Sequence, residues 1–126
     1  ELIAVSMPVS LGQATPAELI QARKDGVTIV DIRRPDEWSQ TGVIEGAKTI
    51  TAFEANGGLH PDFHHQFMNL VFSRETPVLL YCHMGARTTN LGTALIEQLG
   101  FLHVTHLRGG ILSWKADGYS TVNYKP

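Results

Sequence analysis

Three short runs rich in β-branched and aliphatic residues, at 27–32, 77–81 and 104–107, constrain the fold of this chain most. The first is apolar at nearly every position until Asp31, the pattern of a strand covered on both faces. Helical signals lie between the runs. Thr15-Pro16-Ala17-Glu18 places a capping threonine, a proline at the first helical position and a glutamate that completes a capping box. Leu19, Ile20 and Arg23 continue that helix, and Gly26 ends it as a left-handed cap. His60-Pro61 opens a second helix with Phe63, Phe67, Leu70 and Val71 on one face. Leu91, Ala94, Leu95 and Leu99 mark a third, ended by Gly100, and a short helix runs from Ile111 to about Lys115. Thr49-Ile50 reads as a further short strand. Val5, Met7, Val9 and Leu11 alternate as in a half-buried strand, with Pro8 keeping it at an edge. Strands alternating with helices in this way predict an α/β fold of three layers, α/β/α, around a mainly parallel central sheet.

With 126 residues the chain has room for one domain, 1–126, and not for two independent cores. Its 43% hydrophobic and 17% charged residues suit a folded chain, and a net charge of −2 argues against nucleic acid or an anionic membrane as main partner. No apolar run approaches the roughly 20 residues that span a bilayer. A single cysteine excludes an internal disulfide, a Cys-x-x-Cys redox pair and a Cys-rich zinc site. The chain starts at Glu1 rather than Met; a cytoplasmic location is the expectation, with the periplasm the alternative where a leader has been removed.

In folds of this class the ligand site lies beyond the carboxyl ends of the strands. Cys82 falls there, after the run Val78-Leu79-Leu80-Tyr81 and before a helix. Successive backbone N–H groups in such a turn form an anion-binding nest, and the helix N-terminus adds partial positive charge. Gly85 allows a conformation that a side chain would obstruct. Both effects favour a thiolate, the reactive form of cysteine. A cysteine merely packed at a strand end, inert, is the competing reading, and it is the motif flanking Cys82 that decides against it.

Cys82-x-x-Gly85-x-Arg87-Thr88 resembles the active-site loop of the rhodanese family. Val30-Asp31-Ile32-Arg33, followed by Glu37 and Trp38, resembles that family's early Asp-x-Arg strand end and acidic-aromatic pair. Gly42-Val43-Ile44-Glu45-Gly46-Ala47 stands where the family usually has Gly-His-Ile-Pro-Gly-Ala, so Val43 and Glu45 depart from the pattern. Leu107-Arg108-Gly109-Gly110-Ile111 with Trp114 and Gly118-Tyr119 resembles the closing segment. The likeness runs in order from about Thr15 to Tyr119.

The resemblance implies a rhodanese-like fold and a sulfurtransferase that needs no cofactor and no metal. Cys82 would attack the outer sulfur of a donor such as thiosulfate, hold it as a persulfide, and yield it to a thiol, to cyanide or to a sulfur-accepting protein. The amides of His83, Met84, Gly85, Ala86, Arg87 and Thr88 would stabilise the anion, with Asp31, Arg33 and Glu37 in support. Arg87 is expected to brace the loop through Asp31 or Glu37 in preference to orienting the donor. His83 is either a positive charge for a dianionic donor or a solvated loop residue. The mixed loop points to thiosulfate, or a protein or glutathione persulfide, rather than mercaptopyruvate. Phosphatases and arsenate reductases of the same fold resemble Cys-x5-Arg, whereas this loop is Cys-x4-Arg, a smaller ring suited to one sulfur. A persulfide-binding carrier or sensing module that acts through a partner protein is the rival from another class.

Of the remaining signals, His60 and His64 have i, i+4 spacing but straddle a helix boundary, so solvated helix positions explain them and His65 better than a metal. His103 and His106 flank a strand and read as surface or edge residues. Trp38 and Trp114 read as core anchors. Asn56-Gly57-Gly58 marks a turn in the segment 53–60, either a pocket wall or a plain connector.

Overall fold

The computed structural model describes residues 9–126. The strand Val78–Tyr81 is the centre of the architecture, because all four of its side chains are buried. Among the described residues the strands are β1 (Gly12–Ala14), β2 (Thr28–Asp31), β3 (Lys48–Thr49), β4 (Val78–Tyr81) and β5 (Val104–Leu107). They pair side by side in the order β1-β5-β4-β2-β3, every pairing parallel. The helices are α1 (Pro16–Lys24), α2 (Pro35–Thr41), α3 (Phe63–Leu70), α4 (Ala86–Glu97) and α5 (Gly110–Ala116).

Side chains alternate across a strand, and here both faces are covered. Val30, Val78, Leu80, Cys82 and Val104 pack with Phe63 and Phe67 of α3 and Leu91 and Leu95 of α4. Ile29, Leu79, Tyr81 and Leu107 pack on the other face with Leu19 of α1 and Ile111 and Trp114 of α5. The three-layer α/β/α architecture follows.

The start of α1 is built as its residues dictate. The Thr15 hydroxyl accepts from Glu18 N at 3.2 Å, and Glu18 Oε1 accepts from Thr15 N at 2.9 Å. Gly26 follows with φ +87°. Other boundaries differ from the sequence reading. The alternating pattern at Val5 and Met7, with Pro8, lies outside the described residues; Val9 is exposed, and the edge strand starts at Gly12, where pairing to Thr105 begins. Helix α3 starts at Phe63 rather than at Pro61, because His60 and Asp62 form a turn in which His60 Nδ1 accepts from Asp62 N. Helix α2 was not expected: Trp38 is its one buried residue, so no apolar periodicity announces it. Trp38 and Trp114 are core residues, at 5% and 3% exposure.

Candidate active site

β4 delivers Cys82 to the carboxyl end of the sheet's central strand, with the cysteine only 1% exposed. Its Sγ accepts from Gly85 N at 3.2 Å and lies 3.5 Å from Thr88 Oγ1. Gly85, at φ +107°, sits in the left-handed region and starts α4. The start of α5 holds the loop from the other side. Ile111 N donates to the Cys82 carbonyl at 2.9 Å and Leu112 N to the His83 carbonyl at 3.2 Å. Gly110 makes this approach possible, since a Cβ there would meet the His83 carbonyl and lie 2.6 Å from the Cys82 carbonyl oxygen.

With its first two carbonyls drawn towards α5, the loop keeps its amide hydrogens unspent. Among the described residues no carbonyl accepts from the N–H of His83, Met84, Ala86, Arg87 or Thr88. The last three are first-turn donors of α4, which have no partner within a helix. Of the amides at 83–88, that of Gly85 donates to Sγ, and the others stand without a carbonyl partner. His83 is half-buried, and Met84 stands 60% exposed.

Arg87 braces the loop through Glu37, with Nη1 and Nη2 each 2.7 Å from a carboxylate oxygen. Glu37 Oε1 also accepts from Arg34 N, so the ion pair ties the start of α4 to the start of α2. Burial pushes the Glu37 carboxyl up, but the Arg87 and Arg34 hydrogen bonds and charges outweigh it and bring the value down to about 2. The Glu37 hydrogen bonds raise the Arg87 guanidinium above its usual value, with burial opposing.

Asp31 and Arg33 do not reach the loop. They form a fully buried pair, Nη2 to Oδ2 at 2.8 Å, and Arg33 continues to the Thr41 hydroxyl and the Gly42 carbonyl. Their work is to join the end of β2 to the end of α2. The departures at Val43 and Glu45 are likewise carried by backbone. Val43 exchanges hydrogen bonds with Val122, the Tyr81 hydroxyl accepts from Ile44 N, and the Glu45 carbonyl accepts from Arg23.

His106 corrects the sequence reading. His103 is exposed, but His106 is 3% exposed and reaches the cysteine loop. Its Nδ1 lies 2.7 Å from Thr88 Oγ1, and its Nε2 lies 3.0 Å from Gln13 Oε1 on β1. The available signal was strand alternation: His106 stands two positions after Val104, whose side chain faces α4. The segment 53–60 closes on itself, with Glu54 N donating to the Gly58 carbonyl, and Leu59 lies beside Phe63 and Leu95 rather than at the cysteine loop.

A sheet of this order, with one cysteine at the end of its central strand accepting from the amide that opens the next helix, defines a class. The chain belongs to the rhodanese-like domain family, whose pattern it matches over residues 15–117. It is 30% identical over 107 residues to a sulfurtransferase of Allochromatium vinosum, a match that covers 80% of this chain and 83% of that protein. A stretch of 43 residues is 44% identical to a thiosulfate sulfurtransferase of Coxiella burnetii, covering 34% of this chain and 39% of that one. The crystal structure of a rhodanese-related protein from Thermoplasma volcanium shares the fold, with TM-score 0.64, 23% identity and 88% and 97% of the two chains covered.

Proposed function

We propose that this protein is a sulfurtransferase that moves a sulfane sulfur, from a donor such as thiosulfate to a thiol or cyanide, through a persulfide on Cys82. The observation that carries the reading is the set of amide donors at 83–88 without carbonyl partners, one of which, Gly85 N, donates to the sulfur of a cysteine whose own carbonyl is held by α5. In the first step the Cys82 thiolate attacks the outer sulfur of thiosulfate. A bond forms between Sγ and that sulfur, the bond to the sulfonate sulfur breaks, and sulfite leaves with the electron pair. The charge now rests on the outer sulfur, where loop amides stabilise it. An acceptor thiolate or cyanide then attacks that sulfur, and the electron pair of the breaking bond returns to Sγ.

Loop length supports sulfur over phosphoryl chemistry, because the Cys-x4-Arg ring is one residue shorter than the Cys-x5-Arg of phosphatases of the same fold. Both terminal nitrogens of Arg87 hydrogen-bond Glu37, so it serves the loop as a positioning residue. The burial of Cys82, with exposed Met84 and Leu112 beside the loop, suits an acceptor presented by a protein and keeps the carrier reading in play.

Steady-state sulfite release from thiosulfate, with cyanide and a panel of thiols as acceptors, tests the proposal. Repeated turnover by the wild type and none by folded Cys82→Ser is the expected result. Turnover by Cys82→Ser would refute the covalent role. One sulfur taken up without turnover on any small acceptor would favour the carrier.

A further inference from the structure

His106 is a buried titratable side chain that the mechanism above does not use. It stands on β5 between β1 and β4, in register with Gln13 and Leu80, and its ring faces the first turn of α4. The groups that face it are Gln13 from β1, Leu80 from β4, Thr88 from α4 and Gly85 from the loop. None of these is ionisable; the nearest ionisable group in the chain of contacts is Cys82, one step further on at Thr88 Oγ1.

Hydrogen-bond bookkeeping assigns a direction to this chain of groups. Gln13 presents its carbonyl oxygen to Nε2, so the ring carries hydrogen there and offers a lone pair at Nδ1. Thr88 has one hydroxyl hydrogen and three nearby acceptors, Nδ1 at 2.7 Å, the Gly85 carbonyl at 3.2 Å and Sγ at 3.5 Å. That carbonyl already accepts from Thr89 N at 3.0 Å and the Thr89 hydroxyl at 2.8 Å. With that carbonyl filled and Sγ the most distant of the three, the Thr88 hydrogen goes to His106, and Oγ1 turns a lone pair towards Sγ, where it accepts from the thiol.

We propose that His106, acting through the Thr88 hydroxyl, receives the proton of the Cys82 thiol and so prepares the thiolate for sulfur transfer. This rests on the sulfurtransferase reading for its purpose, but not for its test. The thiol hydrogen passes to Oγ1 as the Thr88 hydrogen passes to Nδ1. Cys82 becomes a thiolate that accepts from Thr88, His106 becomes an imidazolium that donates to Thr88 at Nδ1, and the Nε2–H bond to Gln13 persists. No polar group loses a partner in either arrangement. Burial pushes the His106 imidazole below its ordinary value, so the ring rests neutral; the same burial disfavours the imidazolium, and the negative charge left on Sγ one hydroxyl away offsets it. When an acceptor removes the sulfur and the electron pair returns to Sγ, the proton travels back by the same route. His106 is thus a positioning residue that holds the proton while Thr88 contacts the reacting sulfur.

The experiment is the pH dependence of Cys82 alkylation by iodoacetamide, unambiguous because this is the only cysteine. His106→Asn keeps a hydrogen-bonding atom for Thr88 but cannot take a proton. It and Thr88→Val are expected to slow alkylation about tenfold or more at pH 7, with the deficit closing as hydroxide takes over. The double variant should be no slower than either single, and Thr88→Ser should restore the wild-type profile. Gln13→Glu, at an exposed position, places a carboxylate on Nε2–H and should shift the profile to lower pH. That opposite shift carries the test alone where His106→Asn does not fold. Wild-type profiles for folded His106→Asn or for Gln13→Glu would overturn the relay. Failure of the wild type to take up sulfur, with these alkylation shifts present, would overturn the sulfurtransferase reading and leave the relay standing.

Discussion

Glu37 and Arg87 stand fifty positions apart in sequence and close on each other with two hydrogen bonds of 2.7 Å. The Glu37 carboxyl is held near 2, below the ordinary 4.5, so its contribution to stability is full above about pH 4.5 and is lost as the pH falls through about 2. The folded state should therefore lose about 2 kcal/mol across that window, after allowance for solvent screening. Glu37→Gln should flatten this part of the curve of melting temperature against pH; an unchanged slope would mean that the pair does not hold the loop. At this scale the cysteine, its glycine, the arginine and the choice of Glu37 as a possible brace were all legible, because loop motif and charge pairing are local or chemically obligatory. His106 was not: alternation sets it on the α4 face with Val104, but nothing local says which polar group it meets there.

At the scale of elements, caps and glycines carried the clearest signals. Thr15 and Glu18 close their box as the sequence predicts, and Gly26 ends the helix. Helix α2 stayed hidden because seven residues with one buried side chain show no periodicity, although Pro35, Asp36 and Glu37 carry start signals. The two glycines that shape the cysteine loop should respond differently to alanine. At Gly85 the nearest non-local atoms to an added Cβ lie at 3.5 and 3.7 Å, so Gly85→Ala should cost only the left-handed conformation, about 1–2 kcal/mol in a denaturant melt. Gly110→Ala adds a collision with backbone at Cys82 and His83 and should cost more, with sulfur transfer falling alongside stability. Equal costs would show that α5 does not press on the loop as described. Inserting one small residue between Ala86 and Arg87 should widen the amide ring. Loss of one aimed donor lowers turnover about 10²–10³-fold, read as sulfite release from the insertion variant against wild type. Unchanged turnover would remove loop length from the argument.

Over the whole molecule, the alternation of strands and helices was enough to predict a three-layer fold with the site beyond the strand ends. Strand order was not legible, because β-branched runs state that a segment is a strand and not which strand it pairs with. In the folded chain β4 lies between β2 and β5, so both neighbours converge on the cysteine: β2 leads to α2 and Glu37, and β5 leads to Gly109, Gly110 and α5. The central claim is that this convergence serves to hold a sulfur on Cys82. Intact mass after mixing the protein with thiosulfate and no acceptor tests it most directly. The account predicts a gain of one sulfur, about 32 Da, that cyanide removes and that Cys82→Ser does not show. An unchanged wild-type mass, or an equal gain in Cys82→Ser, would contradict it.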